Sequence, residues 1–298
     1  MFWNVVSFHK VKQFFKLKHQ IAKNKKQINA YLLTDFIMDK YKKQKLIAFY
    51  RYFKDFLSNK EFASILAALN YSFFNQLPQK DKVIKSKIGL VYTRKGTIDF
   101  KSANFAYEWG VKKFILKNFK DYNIFLDIGS NIGIYSLFLA KHGLKCYAFE
   151  PVKYNYEILM KNIEINNLKN KIKALNYGLG KFKKKEEFII DPVNTGASHL
   201  AGPDESGIKT MVDIYTLDSV IDKLNLKKDD KFLIKIDVEG MEKQVFEGAQ
   251  NLLKTFSDYL LIFETVHSDI EEIKNLLNKN AKLNYLPVDY LNIAAKKQ

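Results

Sequence analysis

From Asn123 onward, short apolar runs alternate with stretches in which apolar residues recur every three or four positions. Short apolar runs are typical of buried strands, whereas the longer period is typical of amphipathic helices. Strands that alternate with helices form right-handed βαβ units, which place the strands in a parallel sheet covered on both faces. The pattern therefore predicts an α/β domain with a Rossmann-like sheet, and ligands bound beyond the carboxyl ends of its strands.

The individual elements can be placed along the chain. The strands expected in this domain are residues 124–128, 145–149, 171–175, 232–236 and 259–263. The helices expected between and after them are residues 132–141, 155–166, 216–224, 242–253 and 269–278, with a polar insertion at 180–211. Upstream, the sequence predicts a helix over 104–119, a β-hairpin between 83 and 100 that turns at 94–96, and helices within 1–77.

The charged residues are distributed unevenly. Residues 1–100 hold 20 Lys and Arg against 6 Asp and Glu, whereas residues 101–298 hold 29 against 26. We therefore expect a basic, mostly helical region with a β-hairpin at 1–100, followed by the ligand-binding domain at 101–298. Such a region can meet nucleic acid, an acidic membrane surface or a phosphate-bearing substrate. Lysines that merely keep helix surfaces in water explain the same numbers, so both interpretations stay open.

The sequence favours a cytoplasmic protein. Its apolar runs are far shorter than the ~20 residues that span a bilayer. The N-terminus lacks the uninterrupted apolar core of a secretory signal. Peripheral membrane contact through the basic region stays open. Cys146, the single cysteine, stands in an apolar run and is expected to be an inert buried thiol in a strand.

A glycine-containing segment, Asp127-Ile128-Gly129-Ser130-Asn131-Ile132-Gly133, follows the first predicted strand and opens a helix. Its glycines permit a tight turn and let a ligand approach bare backbone. The segment matches neither the dinucleotide fingerprint nor a phosphate-cradling loop. Asp127 suits a cationic amine, and Glu150, one βα unit later, can accept the hydroxyls of a ribose. The pair predicts an unphosphorylated adenosine ligand, although either carboxylate alone could equally be a cap or a surface residue.

Four ordered motifs resemble the FkbM family of S-adenosylmethionine-dependent methyltransferases. They are the glycine segment, Phe149-Glu150-Pro151, the stretch from Leu233 to Glu242, and Ile262-Phe263-Glu264. The most specific part is Lys235-Ile236-Asp237-Val238-Glu239-Gly240. The likeness covers roughly Phe125 to Val266. It implies a class I methyltransferase sheet, S-adenosylmethionine as cofactor and O-methylation, commonly of sugars in surface polysaccharides, glycolipids or secondary metabolites.

The resemblance also implies which residues bind the cofactor. Those expected at the methionine part and the turn are Asp127, Gly129, Ser130, Asn131 and Gly133. Those expected at the ribose, at the adenine and in a Thr-Gly-Ala-Ser loop beside the cofactor or acceptor are Glu150, Pro151, Asn176, Tyr177, Gly178 and Ser198. The family often has Glu-x-His after the fifth strand. Here Glu264 is followed by Thr265, Val266 and His267, which puts the role of His267 in doubt.

Methyl transfer to a hydroxyl requires collinear reacting atoms and loss of the hydroxyl proton. Because sugar hydroxyls are weak acids, a general base or an acidifying metal ion is needed. The candidate catalytic residues are Asp237, Glu239, His199 and His267, and the candidate acceptor-binding residues are Lys235 and Glu264. Asp237 and Glu264 could also hold a divalent cation such as magnesium. Carboxylates near a helix start serve equally well as caps, so metal dependence stays open.

The nature of the acceptor is narrowed by an absent motif. Methyltransferases acting on planar amines usually carry Asn/Asp-Pro-Pro-Tyr/Phe after the fourth strand, and this sequence does not. We therefore expect a sugar, a glycan or a phosphorylated small molecule as acceptor and disfavour nucleic acid. One alternative is an RNA ribose methyltransferase that follows phosphates with residues 1–100. Another is a catalytically silent adaptor that uses the fold as a scaffold. The sequence gives no indication of oligomeric state.

Overall fold

The computed structural model describes residues 50, 53–62, 64–202, 205–224 and 226–298. A compact unit spans Asn59–Gln298 and contains the predicted ligand-binding domain. The helices expected over residues 1–49 lie outside the described residues, while residues 53–58 are helical. Within the described ranges, no helix is both long and apolar enough to cross a membrane.

The strands and helices of this unit are as follows. The strands are β1 Lys82–Ser86, β2 Gly89–Thr93, β3 Ile124–Ile128, β4 Lys145–Phe149, β5 Ile172–Leu175, β6 Gly178–Leu179, β7 Lys184–Ile190, β8 His199–Leu200, β9 Ile208–Tyr215, β10 Phe232–Ile236, β11 Tyr259–Glu264, β12 Leu283–Pro287 and β13 Asn292–Lys297. The α-helices are α1 Ile65–Phe74, α2 Asp99–Ser102, α3 Trp109–Asn118, α4 Ile134–Lys141, α5 Lys153–Ile165, α6 Leu217–Ile221, α7 Glu242–Glu247, α8 Gln250–Thr255 and α9 Ile270–Asn278. Single 3₁₀ turns occupy Phe119–Asp121, Thr195–Ala197 and Asp222–Leu224.

The central sheet has the strand order β12-β13-β11-β10-β3-β4-β5. Strands β5, β4, β3, β10 and β11 run parallel, and the antiparallel strands β13 and β12 complete one edge. From β3 the chain moves outward through β4 and β5, then returns to the other side of β3 as β10. The strand order therefore reverses between β3 and β10, which is where open α/β sheets leave a ligand-binding crevice.

The register of the sheet brings three predicted site positions together. Ile128, the last residue of β3, pairs with Phe149 of β4 and with Ile236 of β10. The next residues along the three strands are Gly129, Glu150 and Asp237, so they emerge side by side at one edge of the sheet. Every residue of β3, β10 and β11 is buried, because helices cover both faces of the sheet. The predicted α/β domain is thus confirmed.

The predicted helix over 242–253 is in fact two helices, α7 and α8, separated at Gly248. The Asp218 carboxylate accepts hydrogen bonds from the backbone N–H groups of Asn251 and Leu252. A new helix start forms there because those N–H groups have a side-chain acceptor instead of helical carbonyls. Similarly, the helix expected from 104 begins only at Trp109, since Glu108 has a left-handed backbone conformation.

The segment at 180–211, expected to be a polar insertion, contains strands. Strands β6, β9, β7 and β8 form a second sheet in that order. Alternate residues of β7 and β9, including Phe188, Val212 and Ile214, pack with Val152 and Met241 in a small apolar core. The first four residues of β7 are Lys and Glu, which made the segment look polar. The sequence therefore predicted the position of this insertion but not its strands.

The β-hairpin was predicted with the wrong strands. Its strands are β1 and β2, which turn at Lys87 and Ile88, whereas residues 99–102 form helix α2. The chain turns inward after β2 because the buried Arg94 guanidinium pairs with Asp99. The hairpin also joins the main unit, since Asn162 of α5 accepts a hydrogen bond from the Tyr92 backbone N–H. The compact unit that contains the hairpin begins at Asn59.

Gly129 provides a test of how tightly the strand ends pack. Gly129 and Gly96 both have positive φ, 82° and 71°, so alanine at either position should cost about 1–2 kcal/mol of backbone strain. A Cβ at Gly129 would also lie 1.8 Å from the Asp237 carbonyl oxygen, whereas a Cβ at Gly96 would meet nothing within 4 Å. We therefore expect Gly129→Ala to lower the free energy of unfolding much more than Gly96→Ala in urea denaturation. Equal losses in the two variants would contradict this packing.

Candidate functional site

A pocket with an empty volume of about 520 Å³ opens at the carboxyl ends of β3, β4 and β10. This volume includes open solvent at the mouth of the pocket. The sequence-predicted residues that line the pocket are Gly129, Asn131, Glu150, Pro151, Gly178, Ser198, Asp237 and Glu239. The switch point of the sheet thus brings the predicted cofactor turn and two predicted catalytic carboxylates to one cavity.

The glycine turn is fixed by backbone hydrogen bonds to the neighbouring strand. The N–H groups of Gly129 and Ser130 both donate to the Phe149 carbonyl oxygen at 3.0 Å. The Ser130 hydroxyl oxygen is buried and has no hydrogen-bond partner among the described residues. Gly133 begins helix α4 and does not belong to the pocket lining. Gly129 and Asn131 of the turn therefore face the pocket, whereas Ser130 is buried behind its lining.

Glu150 is buried, with 4% of its surface exposed. Its carboxylate accepts hydrogen bonds from the backbone N–H groups of Asn131 (2.8 Å) and Val152 (3.0 Å), and from Asn155 Nδ2 at 3.4 Å. Burial raises the pKa of Glu150 to about 7, although these hydrogen bonds oppose the shift. A carboxylate offers about four lone-pair sites, so three donors leave capacity for a ligand hydroxyl. Glu150 therefore both shapes the turn and faces the pocket.

A buried arginine that sequence reasoning missed supports this side of the pocket. The Arg94 guanidinium pairs with Asp99 at 2.7 Å and donates to Asn155 Oδ1 at 3.0 Å and Thr195 Oγ1 at 2.7 Å. Asn155 in turn donates to Glu150 and to the Thr195 carbonyl oxygen. The sequence contained a signal, because this lysine-rich chain uses arginine only at positions 51 and 94. A planar guanidinium can make several directed hydrogen bonds that an ammonium cannot.

Asp127 lies next to the pocket without belonging to its lining. Its Oδ2 accepts hydrogen bonds from the Ser136 N–H at 3.1 Å and the Ser136 hydroxyl at 2.6 Å. Burial raises the pKa of Asp127 to about 6, and the positive charge of Lys235 opposes that shift. The carboxylate thus holds the first turn of α4 in place. Its contact with a ligand ammonium stays a prediction.

The residues after β5 support the pocket wall. Asn176 Nδ2 donates to the backbone carbonyl oxygens of Glu150 and Pro151, at 2.9 and 3.1 Å. The Tyr177 ring packs against the Tyr215 ring, with centroids 4.7 Å apart. Of the three residues predicted near an adenine, Gly178 lines the pocket directly. Thr195, Gly196 and Ser198 of the Thr-Gly-Ala-Ser loop also line the pocket, and their contact with a cofactor or acceptor stays a prediction.

Three carboxylates meet at the ends of β10 and β11. One oxygen from each of Asp237, Glu239 and Glu264 lies within 4.8 Å of the others. Lys235 Nζ lies 2.7 Å from Asp237 Oδ2 and is buried. Burial, and next the charge of Asp237, raise the pKa of Glu239 to about 8 and that of Glu264 to about 9. The sequence offered Asp237 and Glu264 as ligands of a divalent cation, and the structure places them with Glu239 in one acidic cluster.

Two further residues that sequence reasoning missed, Glu108 and Tyr135, lie beside Lys235. The Tyr135 hydroxyl donates to Glu108 Oε2 at 2.6 Å, and Lys235 Nζ lies 4.6 Å from the centre of the Tyr135 ring. The charges of Asp237 and Glu108 hold the pKa of Lys235 above its usual value, despite burial that lowers it. Lys235 therefore stays a cation at the base of the cluster.

The two candidate histidines occupy different positions. His199 Nδ1 lies 2.9 Å from the Ala197 carbonyl oxygen and Nε2 lies 3.1 Å from Glu205 Oε1. Both ring nitrogens therefore face acceptors, and His199 is absent from the described pocket lining. His267 is half-exposed, and its Nε2 lies 3.8 Å from Glu239 Oε2. Of the two, only His267 reaches the acidic cluster. Catalytic roles for both stay predictions.

The pocket chemistry fits a nucleoside ligand. Leu179, Phe188, Ile214 and Met241 supply an apolar wall of the kind that a purine ring requires. Glu150 and the unsatisfied Ser130 hydroxyl supply polar groups near the glycine turn. A Cβ at position 129 would collide with the Asp237 carbonyl oxygen, so the close packing of the turn against the end of β10 depends on glycine. The residues that line the pocket can thus accommodate an adenosine whose cationic tail lies next to carboxylates.

The family model for the methyltransferase FkbM domain matches residues 127–286, more than half of the chain. The match begins at Asp127 and contains the glycine turn, Glu150 and all three members of the acidic cluster. The four motifs identified from sequence therefore belong to one recognised domain.

Individual relatives are also methyltransferases. The chain is 25% identical over 179 residues to the hexuronic acid methyltransferase AglP of Haloferax volcanii, covering 59% of this chain and 70% of that protein. It is 27% identical over 156 residues to the methyltransferase sdnD of Sordaria araneosa, covering 42% and 59%. The crystal structure of methyltransferase FkbM from Methylobacillus flagellatus aligns with a TM-score of 0.42 at 17% identity, over 60% and 44% of the two chains. The chain thus spans less than two thirds of the latter two proteins.

Proposed function

This chain belongs to the FkbM methyltransferase family, and from that premise we propose that it transfers a methyl group from S-adenosylmethionine to a sugar or glycan hydroxyl. One observation carries the proposal. A single pocket joins the glycine turn and Glu150 on one side to Asp237 and Glu239 on the other. A cofactor side and an acceptor side are what a methyl transfer between two bound molecules requires. The similarity to a hexuronic acid methyltransferase supports a sugar acceptor.

The cofactor side would hold the adenosine. In the proposal, Glu150 accepts hydrogen bonds from the ribose hydroxyls, and the apolar residues of β7 and β9 contact the purine. S-adenosylmethionine, when bound, supplies a methyl group activated by a positively charged sulfur. The carboxylates of Asp237 and Glu239 border the same cavity and would favour that cation electrostatically. Residues of this chain thus supply orientation and charge complementarity.

The acceptor side would hold the hydroxyl and take its proton. We assign the proton-accepting role to Asp237, because it lines the pocket and Lys235 fixes its carboxylate through a 2.7 Å contact. Glu239 also lines the pocket and would hydrogen-bond a neighbouring hydroxyl of the sugar, while Glu264 lies beside it in the acidic cluster. A general base contributes about 10²–10⁴-fold to a rate when it is correctly positioned. The rest of the rate enhancement comes from positioning the acceptor oxygen in line with the methyl group.

The geometry gives little support to an RNA acceptor. The described pocket lining includes no Lys or Arg, so nothing in it would pair with the phosphates that flank a ribose in RNA. The acidic cluster would repel those phosphates. The basic residues that motivated the RNA alternative belong mostly to residues 1–49, outside the described residues. A hydroxyl-rich acceptor without phosphate next to the reacting oxygen fits the site better.

The raised pKa of Glu150 predicts how cofactor-product binding depends on pH. Only the ionised carboxylate accepts hydrogen bonds from both ribose hydroxyls, so below pH 7 a proton must leave before the ligand binds. We expect the affinity for S-adenosylhomocysteine, measured by calorimetry, to rise by up to about tenfold per pH unit from pH 5.5 and to level off above pH 7. Glu150→Ala should bind weakly with no such rise. As a control, replacing the exposed Glu157 on helix α5 (Glu157→Ala) should leave the wild-type pH profile unchanged. A flat wild-type profile would refute the assignment of Glu150.

A transfer assay tests the proposed reaction itself. The full chain is incubated with methyl-labelled S-adenosylmethionine and, in separate arms, sugar nucleotides, capsule-type oligosaccharides and RNA. We expect label in a sugar arm. Asp237→Asn should lower turnover by about 10²–10⁴-fold while binding S-adenosylhomocysteine normally, because its role concerns the acceptor proton. Label in RNA alone, or unchanged turnover in Asp237→Asn, would overturn the proposal.

A further inference from the structure

The acidic cluster has the spacing of a cation site. Asp237, Glu239 and Glu264 each contribute one carboxylate oxygen, and these oxygens lie within 4.8 Å of one another. Hard divalent cations bind carboxylate oxygens at roughly 2.0–2.6 Å, so oxygens on opposite sides of one ion are about 4–5 Å apart. A single ion can therefore contact all three residues with little movement of their side chains.

Glu264 supplies a second and independent observation. Only 3% of its surface is exposed, and neither carboxylate oxygen has a hydrogen-bond partner among the described residues. Buried polar groups are nearly always satisfied, and an unsatisfied carboxylate is costly. The neighbouring buried Glu242 illustrates the usual case, since Ser268 Oγ donates to it at 2.6 Å and the Gly240 N–H at 3.4 Å. Glu264 thus has a binding capacity that the protein leaves unused.

The surrounding charges do not neutralise the cluster. Lys235 contacts Asp237 through Oδ2 only, and a carboxylate has a second oxygen. His267 lies 3.8 Å from Glu239 and is half-exposed. One buried ammonium therefore stands against three closely spaced carboxylates. A divalent cation would offset this repulsion and satisfy both unpartnered oxygens of Glu264.

We propose that Asp237, Glu239 and Glu264 bind one hard divalent cation of the Mg²⁺ or Mn²⁺ class at the acceptor side of the pocket. Three protein oxygens leave positions of an octahedral ion open for water and for oxygens of the acceptor. The site is held by secondary structure, because Glu264 ends β11 and Asp237 follows the paired strand β10. Glu242 fixes the loop between Asp237 and the start of α7 through its contact with the Gly240 N–H.

The ion's part in methyl transfer rests on the proposed function, whereas its binding does not. A hydroxyl bound to the ion becomes more acidic. Its proton would pass to the Asp237 carboxylate and from there to water. The hydroxyl oxygen uses a lone pair to form the new C–O bond, and the electron pair of the breaking C–S bond returns to sulfur. The products are the methyl ether, a neutral thioether and one released proton.

Binding is tested with Mn²⁺ on the full chain after treatment with a chelator and its removal. Electron paramagnetic resonance should detect one saturable Mn²⁺ site per chain, and Mg²⁺ should compete for it. Glu264→Gln should weaken Mn²⁺ binding by at least about tenfold, since even the loss of a residue that merely supports a metal ligand costs 10–100-fold. The matched control is Glu272→Gln, an exposed carboxylate paired with Lys243 outside the cluster, which should bind Mn²⁺ as wild type does.

Glu239→Gln provides a second variant at a less buried position, in case Glu264→Gln does not fold. Retained S-adenosylhomocysteine binding, which depends on Glu150, shows that a variant is folded. Absence of saturable Mn²⁺ binding in the wild type, or wild-type binding in both folded variants, would overturn the proposal.

The transfer assay distinguishes failure of the proposed cation site from failure of the proposed methyl transfer. Loss of transfer with a chelator and its recovery with Mg²⁺ would support the cation site. A saturable Mn²⁺ site without methyl transfer to any acceptor would support the site while removing the proposed function. Transfer that persists with a chelator, in a protein that binds no Mn²⁺, would support the proposed function and overturn the cation site.

Discussion

The contact between the Gly129 turn and the end of β10 is the constraint on which the pocket depends. The backbone at Gly129 lies so close to the Asp237 carbonyl that a Cβ there would be 1.8 Å from it. On the other side, Glu150 accepts the Asn131 N–H, so the same turn is held between two neighbouring strand ends. This packing leaves the pocket open beyond the strands and brings a cofactor-side carboxylate and an acceptor-side carboxylate to one cavity. A looser turn would separate the two halves of the site.

Both the cofactor side and the acceptor side of the pocket contain buried carboxylates, but the two sides differ in how many hydrogen bonds those carboxylates accept. On the cofactor side, Glu150 accepts three hydrogen bonds within a network that extends through Asn155 to the buried Arg94–Asp99 pair. On the acceptor side, Glu264 is buried and has no hydrogen-bond partner among the described residues. The first arrangement is that of a preformed binding surface. We propose that a divalent cation, which the chain itself does not supply, completes the second.

The sequence predicted the parallel strands well and the peripheral elements poorly. Strands β3, β4 and β10 have the predicted bounds, because each is a short apolar run buried on both faces, where composition alone is decisive. Strand β7 was missed, since one of its faces is solvated and its Lys and Glu residues conceal the alternation. The hairpin was displaced because a long-range contact, the burial of Arg94 against Asn155 and Thr195, determines where the chain leaves β2. Similarly, motif order placed Glu150 and the three acidic-cluster residues at neighbouring strand ends. Only the three-dimensional arrangement shows that Glu264 is buried without a hydrogen-bond partner among the described residues, or that Asp127 holds helix α4.

The most direct test of this account is a crystal structure of the chain with S-adenosylhomocysteine. We predict that the adenosine lies between the Gly129 turn and the apolar residues of β7 and β9, with both ribose hydroxyls within hydrogen-bonding distance of the Glu150 carboxylate and the sulfur directed toward Asp237. A ligand bound elsewhere in the domain, or a ribose beyond the reach of Glu150, would contradict the account.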